Sequence, residues 1–188
     1  MTAIAAHTQY TPDDVLRLED EGLFELVDGK LVEKPMSSLA NKTAGIVTIQ
    51  LGVFLQKSGG GDLLPEQTFQ CFPHDRDLIR RPDVAFISAA RSAGVPDEGH
   101  VPIAPDIAIE VVSPNDTIYE LDEKLADYRM AGVKAVWVLN PNSRVLRIHR
   151  LDHTFAELQE TDTLSDESIL PGFSILVRDL LPPRRKPE

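Results

Sequence analysis

The chain has 188 residues, of which 42% are hydrophobic and 26% are charged. This length and composition are typical of one globular domain and exclude a wholly disordered or fibrous chain, so we expect residues 1–188 to form a single domain. The formal net charge of -11 argues against strong, non-specific binding to nucleic acid, which depends on clustered Lys and Arg side chains.

Membrane insertion, secretion and disulfide bonding are not expected. No apolar run approaches the ~20 residues that a membrane-spanning helix needs. Residues 1–10 lack the basic start and the apolar middle of a signal peptide. Cys71 is the only cysteine, which excludes an intramolecular disulfide and a cysteine metal cage. We therefore expect a cytoplasmic protein with no membrane partner.

The N-terminal part predicts a short helix and then a hairpin. Thr11, followed by proline and two acids, is a typical helix start, and the helix should run to about residue 20. The dipeptide Asp28-Gly29 lies between two extended runs, residues 23–27 and 30–33. Because a tight turn of this kind needs positive φ at its central positions, the pattern predicts a β-hairpin.

A long helix and two strands are predicted next. Residues 38–57 are apolar on almost every face, which is typical of a helix packed on a sheet, and three consecutive glycines end it. Strands are expected at residues 63–72 and 83–87. A loop that contains proline and glycine follows at residues 88–105.

The second half predicts a strand, a helix and a strand in succession, and then a hairpin. Residues 106–112 are apolar on both faces apart from their acids, as at the centre of a sheet. Residues 117–131 place apolar side chains on one helix face, and residues 135–139 form the next strand. This order argues for a parallel pair with a right-handed crossover. Residues 144–151 and 154–159 complete the C-terminal hairpin.

Glu110 points most directly to chemistry. A carboxylate inside an apolar strand is taken from water at a cost of several kcal/mol unless a partner compensates it. An edge position or a buried ion pair is the alternative explanation. Asp83 opens another predicted strand after Pro82, where an acid is also common as a turn or cap residue.

Lys124 lies on the predicted helix that follows Glu110, at the border of its apolar face. Its stem can pack there while its ammonium reaches back toward the strand end; a solvated pair with Glu120 is the alternative. With Asp83 and Glu110 this lysine suits phosphodiester hydrolysis. Two carboxylates can hold Mg²⁺, and an ammonium can orient the attacking water or stabilise the charge that grows on the phosphate.

The acidic net charge does not by itself exclude a nucleic-acid substrate. It averages over the whole surface, and a Mg²⁺ site must itself carry carboxylates. Basic residues also cluster before Asp83 and in the tail, where a solvated terminus is the alternative. They are Arg76, Arg80 and Arg81, and Arg184, Arg185 and Lys186.

Several stretches carry a resemblance to a known family. They are residues 24–29 (FELVDG), 81–86 (RPDVAF), 109–114 (IEVVSP) and 123–128 (EKLADY), leading to Gly132-Val133 and residues 136–138 (VWV). Over about residues 10–140 the chain resembles the Uma2 family, also called DUF820, a branch of the PD-(D/E)XK nuclease superfamily. The resemblance implies an α/β fold with a restriction-endonuclease-like core, in which helices flank a mixed sheet. Residues 141–188 would form the C-terminal hairpin and tail.

The resemblance also implies roles for particular residues. Asp83 and Glu110 would be metal ligands, joined by the backbone carbonyl of Val111, for Mg²⁺ or alternatively Mn²⁺. The superfamily's lysine usually stands two residues after the second acid, where this chain has valine, and Lys124 on the next helix would take its place. Glu25 resembles an auxiliary acid of the superfamily's site; a solvated glutamate on a hairpin face is the alternative.

The sequence therefore predicts a Mg²⁺-dependent endonuclease with nucleic acid, and DNA in particular, as its substrate. One alternative is a catalytically silent binding or regulatory module that keeps the fold, which the acidic charge favours. Another is an enzyme that uses the same acids and lysine on a different substrate. A homodimer is expected, with the C-terminal hairpins as a contact.

Overall fold

The computed structural model describes residues 9–34 and 37–184. The expectation that the chain begins without a signal peptide rests largely on residues 1–8, which lie outside the described residues. Arg185 and Lys186 of the basic tail lie outside them as well.

The described residues form three α-helices and ten strands. The helices are Pro12–Arg17 (α1), Ser38–Ser58 (α2) and Ile118–Ala131 (α3). The strands are Phe24–Val27 (β1), Lys30–Glu33 (β2), Asp62–Pro65 (β3), Val84–Ile87 (β4), Ile107–Val111 (β5), Ala135–Asn140 (β6), Val145–Arg150 (β7), Phe155–Gln159 (β8), Thr163–Ser165 (β9) and Ser174–Leu176 (β10). None of the described helices has the length and apolar character to cross a membrane.

Six of the strands form one mixed sheet in the order β3-β4-β5-β6-β7-β8. Only β5 and β6 are parallel, and α3 connects them, which confirms the predicted strand, helix and strand unit. The hairpins β1-β2 and β9-β10 form two small sheets of their own. The mixed sheet flanked by helices is the predicted fold class.

Helices cover the two faces of this sheet, and alternation along β5 decides which side chain faces which helix. Ile109 packs in one core cluster with Leu51 of α2, whereas Ala108 packs in the other with Tyr128 of α3. Successive side chains of a strand point to opposite faces, so Glu110 shares the α3 face with Ala108. The sheet thereby turns this carboxylate toward the helix that carries the predicted lysine.

Helix α2 buries only one of its faces. Its buried residues recur every three or four positions and are Ala40, Thr43, Val47, Leu51 and Leu55. On the other side Ile49 is 64% exposed and Val53 is 46% exposed, so the apolar character of this helix extends beyond the face that the sheet covers.

The strand predicted over residues 63–72 is wrong in its second half. β3 ends at Pro65, which has no N–H to donate to a neighbouring strand, and Glu66 adopts a positive φ of 52°. The chain therefore leaves the sheet, and Phe69 returns only as an isolated bridge partner of Arg80 and Val101. This bend leaves Glu66 beside the start of β4, because its N–H donates to the carbonyl of the residue that precedes that strand.

Candidate active site

The sheet brings Asp83 and Glu110 side by side. β4 and β5 are antiparallel and pair Val84 with Ile109, so Asp83 lies opposite Glu110 where β4 begins and β5 ends. The N–H of Val111 donates a 2.5 Å hydrogen bond to Oδ2 of Asp83 and fixes that carboxylate against β5. The position of Asp83 is therefore set by the sheet and not only by its turn.

Asp83, Glu110 and Lys124 line one cavity of about 50 Å³. About 10–15 Å³ of such space suffices for one water molecule. The cavity therefore has room for an ion with a few bound water molecules. The remaining polar residues that line it are Lys34, Asn41, Glu66, Ser113 and Asp116. The structure thus brings together the two acids and the lysine that the sequence singled out.

Glu110 is buried, with 6% of its surface exposed. The hydroxyl of Tyr128 donates a 2.6 Å hydrogen bond to its Oε1, and the ammonium of Lys124 lies 3.4 Å from its Oε2. Burial raises the pKa of Glu110 to about 7; Lys124 counteracts this rise, and the nearby charge of Asp83 adds to it. The protein alone therefore compensates the charge of this carboxylate only in part.

Lys124 points from α3 back to the sheet, as its place on the helix predicted. Its Nζ lies 3.0 Å from Oε1 of Glu25 and 3.4 Å from Oε2 of Glu110. Burial would lower the pKa of Lys124, but these two carboxylates outweigh it and raise the pKa above its usual value. The alternative pair with Glu120 is not formed, because Glu120 accepts hydrogen bonds from Thr117 and caps the helix.

Glu25 is buried on β1 with 1% of its surface exposed, so the alternative of a solvated hairpin residue is wrong. Its Oε2 lies 3.0 Å from Nη1 of Arg80, and its Oε1 accepts a 3.0 Å hydrogen bond from the N–H of Arg81. Burial would raise the pKa of Glu25, but the charges of Lys124 and Arg80 outweigh it and lower the pKa to about 2. Glu25 thus joins the hairpin to the site through the lysine.

The basic cluster predicted at Arg76, Arg80 and Arg81 is not a phosphate-binding surface. Arg80 donates to Oδ2 of Asp127 at 2.6 Å and 2.8 Å, and Arg81 donates to the carbonyl of Glu66 at 2.8 Å. The side chains of Arg80 and Arg81 are each only 5% exposed, so both serve internal ion pairs and hydrogen bonds. Of the three only Arg76 is exposed.

Sequence reasoning missed Lys34 and Tyr128. The ammonium of Lys34 lies 2.8 Å from Oδ1 of Asp83, 2.9 Å from Oε2 of Glu66 and 2.9 Å from the carbonyl oxygen of Arg81. These partners are 32 to 49 residues away, and no local pattern indicates such contacts. In the sequence Tyr128 belongs to the apolar face of its helix, and only the buried acid beside it in the structure shows that its hydroxyl has a polar role.

The donors at the cavity fit Mg²⁺. Asp83 and Glu110 offer carboxylate oxygens, and Val111 lines the cavity between them, which gives the hard oxygen ligands that Mg²⁺ prefers. Within residues 9–34 and 37–184 no group of three or more His, Cys, Asp or Glu side chains is arranged to hold a metal ion. A metal site here would therefore rest on two carboxylates, a backbone carbonyl and water, which suits an ion that keeps several waters.

The structure is that of an α/β protein in which helices flank a mixed sheet and two acids lie side by side where neighbouring strands meet. Residues 12–178 match the model of the Uma2 family, which is described as "Putative restriction endonuclease". The chain belongs to the Uma2 family.

A solved structure shares this fold. It is a "putative nuclease belonging to DUF820" from Anabaena variabilis ATCC 29413, with a TM-score of 0.74 and 20% sequence identity. The alignment covers 90% of this chain and 96% of that chain. At this identity the likeness shows the fold alone. No curated protein matches the chain.

Proposed function

We propose that this protein is a Mg²⁺-dependent endonuclease that hydrolyses phosphodiester bonds of DNA. Asp83, Glu110 and the carbonyl of Val111 would hold the metal, and Lys124 would support the attack on phosphorus. The observation that carries the proposal is the convergence of two strand-borne acids and a helix-borne ammonium on one cavity. Membership of the Uma2 family supports nucleic acid as the substrate class.

The chain holds each acid in place with a neutral donor. The N–H of Val111 fixes Oδ2 of Asp83, and the hydroxyl of Tyr128 fixes Oε1 of Glu110. Such fixed ligands need no reorganisation when charge develops in the transition state. A bound Mg²⁺ would polarise a phosphoryl oxygen and lower the pKa of a bound water.

Lys124 would act next to the metal ligands without being one. Its ammonium lies between Glu25 and Glu110, at 3.0 Å and 3.4 Å. From there it can orient the attacking water or stabilise the negative charge that grows on the phosphate. Glu25 would position the lysine, because it is itself held by Arg80 and by the backbone of Arg81.

A groove of about 680 Å³ adjoins the cavity and offers space for a nucleic-acid strand. It shares with the cavity the residues Lys34, Glu110, Val111, Asp116 and Lys124. Glu33, Glu120 and Glu123 also line it, so a strand would meet carboxylates on the walls and cations near the cavity. Because the wall carboxylates repel phosphate, attraction for a strand would come from the bound metal and from the lysines near the cavity.

The test is cleavage of supercoiled plasmid and of single-stranded DNA with Mg²⁺ or Mn²⁺. We expect the wild type to cleave and Lys124→Ala to lose cleavage by a factor of about 10² or more while it stays folded by circular dichroism. Lys57→Ala removes an exposed lysine at the end of α2 and should cleave like the wild type. A wild type that cleaves neither form of DNA with either metal would refute the proposal.

One observation favours the second candidate, a catalytically silent module. Lys34 already occupies Oδ1 of Asp83, so that carboxylate has a cationic partner without any metal. The net charge of -11 and the internal role of Arg80 and Arg81 point the same way. The same assay separates the two functions, because a silent module would show no metal-dependent cleavage.

A further inference from the structure

The chain supplies a cation of its own at the proposed metal site. Lys34 follows β2, and its backbone N–H donates to the carbonyl of Leu23, which fixes its place at the end of the hairpin. Its side chain is only 12% exposed. The ammonium reaches Asp83, Glu66 and the carbonyl of Arg81 at 2.8 Å, 2.9 Å and 2.9 Å.

These three oxygens use all three donors of the ammonium. Two carboxylates and one backbone carbonyl around a positive charge are also the donor types that bind Mg²⁺ or Ca²⁺ in proteins. Burial would lower the pKa of Lys34, but the charges of Asp83, Glu110 and Glu66 outweigh it and raise the pKa above its usual value. Lys34 therefore holds its place by charge as well as by hydrogen bonds.

Both oxygens of Asp83 are engaged in this arrangement. Oδ1 faces Lys34, and Oδ2 accepts from the N–H of Val111. A divalent ion bound to Asp83 at about 2.1 Å would stand within a few ångströms of the ammonium, where repulsion between the two cations is strong. The metal and the ammonium therefore cannot share this carboxylate at low cost.

We propose that Lys34 competes with the divalent metal for Asp83, so that metal binding requires the ammonium to leave and the affinity for the metal is kept low. The inference rests on the metal ligands of the proposed function, but not on cleavage. Lys34 also lines the adjoining groove, which gives the displaced side chain a place to go. Lys124 does not compete for Asp83, which is not among its partners within 4.0 Å. Its contact with the other acid, Glu110, is 3.4 Å and therefore looser than the 2.8 Å contact of Lys34 with Asp83.

The test is the affinity for Mn²⁺, measured by titration calorimetry on the full chain. Lys34→Met and Lys34→Gln should each bind Mn²⁺ about tenfold more tightly than the wild type or better, since about 1.4 kcal/mol of lost competition is tenfold. Lys30→Met is the matched control, because it removes one positive charge from the same hairpin at an exposed position. It should bind like the wild type. Adding Asp83→Asn to Lys34→Gln should abolish the gain.

The proposal would be overturned if Lys34→Met and Lys34→Gln bind Mn²⁺ no more tightly than Lys30→Met. It would also be overturned if no variant binds Mn²⁺. If both substitutions at Lys34 prevent folding, the wild type still tests the proposal. Its Lys34 side-chain resonances should shift as Mg²⁺ is added, whereas Mg²⁺ binding at Asp83 with unchanged Lys34 resonances would refute displacement.

The outcomes for this inference and for the nuclease are separable. Tighter Mn²⁺ binding by Lys34→Gln in a protein that cleaves no nucleic acid would keep the competition and refute the nuclease. Metal-dependent cleavage with the same Mn²⁺ affinity in Lys34→Gln and the wild type would support the nuclease and refute the competition.

Discussion

Glu25→Gln should destabilise the protein by about 3 kcal/mol at pH 7. The carboxylate is 1% exposed and lies 3.0 Å from both Lys124 and Arg80. Its pKa falls from 4.5 to about 2, although burial alone would raise it, because the charges of Lys124, Arg80 and Lys34 outweigh burial. A drop of about 2.5 pH units at 1.36 kcal/mol each gives the figure, and removal of one partner of a buried ion pair typically costs about 3–5 kcal/mol.

The sign of the pH dependence follows from the direction of that shift. A carboxylate whose pKa is lower in the folded state stabilises the protein above its unfolded pKa near 4.5, and the contribution is lost as the pH falls toward 2. The difference between the wild type and Glu25→Gln should therefore be constant from pH 7 to about pH 5 and shrink below that.

Urea unfolding at several pH values measures this effect. Glu33→Gln is the matched control, since Glu33 lies on the same hairpin but is exposed, and it should change the free energy of unfolding by less than about 0.5 kcal/mol. A loss below about 1 kcal/mol for Glu25→Gln at pH 7, or a loss that does not change down to pH 3, would refute the reasoning.

Two further predictions concern stability. Tyr128→Phe leaves Oε1 of buried Glu110 without its donor and should lower the free energy of unfolding by about 1–3 kcal/mol in urea; no change would contradict the role of the hydroxyl. Gly45→Ala should raise the thermal midpoint, because a Cβ there meets nothing within 4 Å and alanine favours the helix by about 1 kcal/mol. Gly61→Ala should lower it, since φ is +114° and the Cβ would lie 2.3 Å from the carbonyl oxygen of Ile87. Equal effects of the two substitutions would refute this contrast.

The β5-α3-β6 unit could be predicted because its signals are local. The apolar run of β5 and Gly132 at the helix end each act within a few residues. The same unit carries Glu110 and Lys124, so the proximity of their side chains could be predicted from one strand and the helix that follows it. The position of Asp83 beside Glu110 depends on the register of β4 against β5, which only the folded sheet shows.

The contacts that surround the site could not be predicted, because they join distant parts of the chain. Arg80 reaches Glu25 across 55 positions, and Lys34 reaches Asp83 across 49. In sequence Arg76, Arg80 and Arg81 form a basic patch, yet Arg80 and Arg81 are buried, and Arg80 pairs with Glu25 and Asp127. The strand expected to residue 72 failed for a local reason, since Pro65 ended it where the hydrophobic pattern continued.

Under the proposed function, Asp83 and Glu110 together hold a divalent metal ion beside Lys124. Anomalous diffraction from crystals soaked in Mn²⁺ tests it most directly. We expect one strong peak in contact with both carboxylates, with the ammonium of Lys34 moved away from Asp83. No peak at this cavity at millimolar Mn²⁺, or a peak bound only elsewhere on the protein, would contradict it.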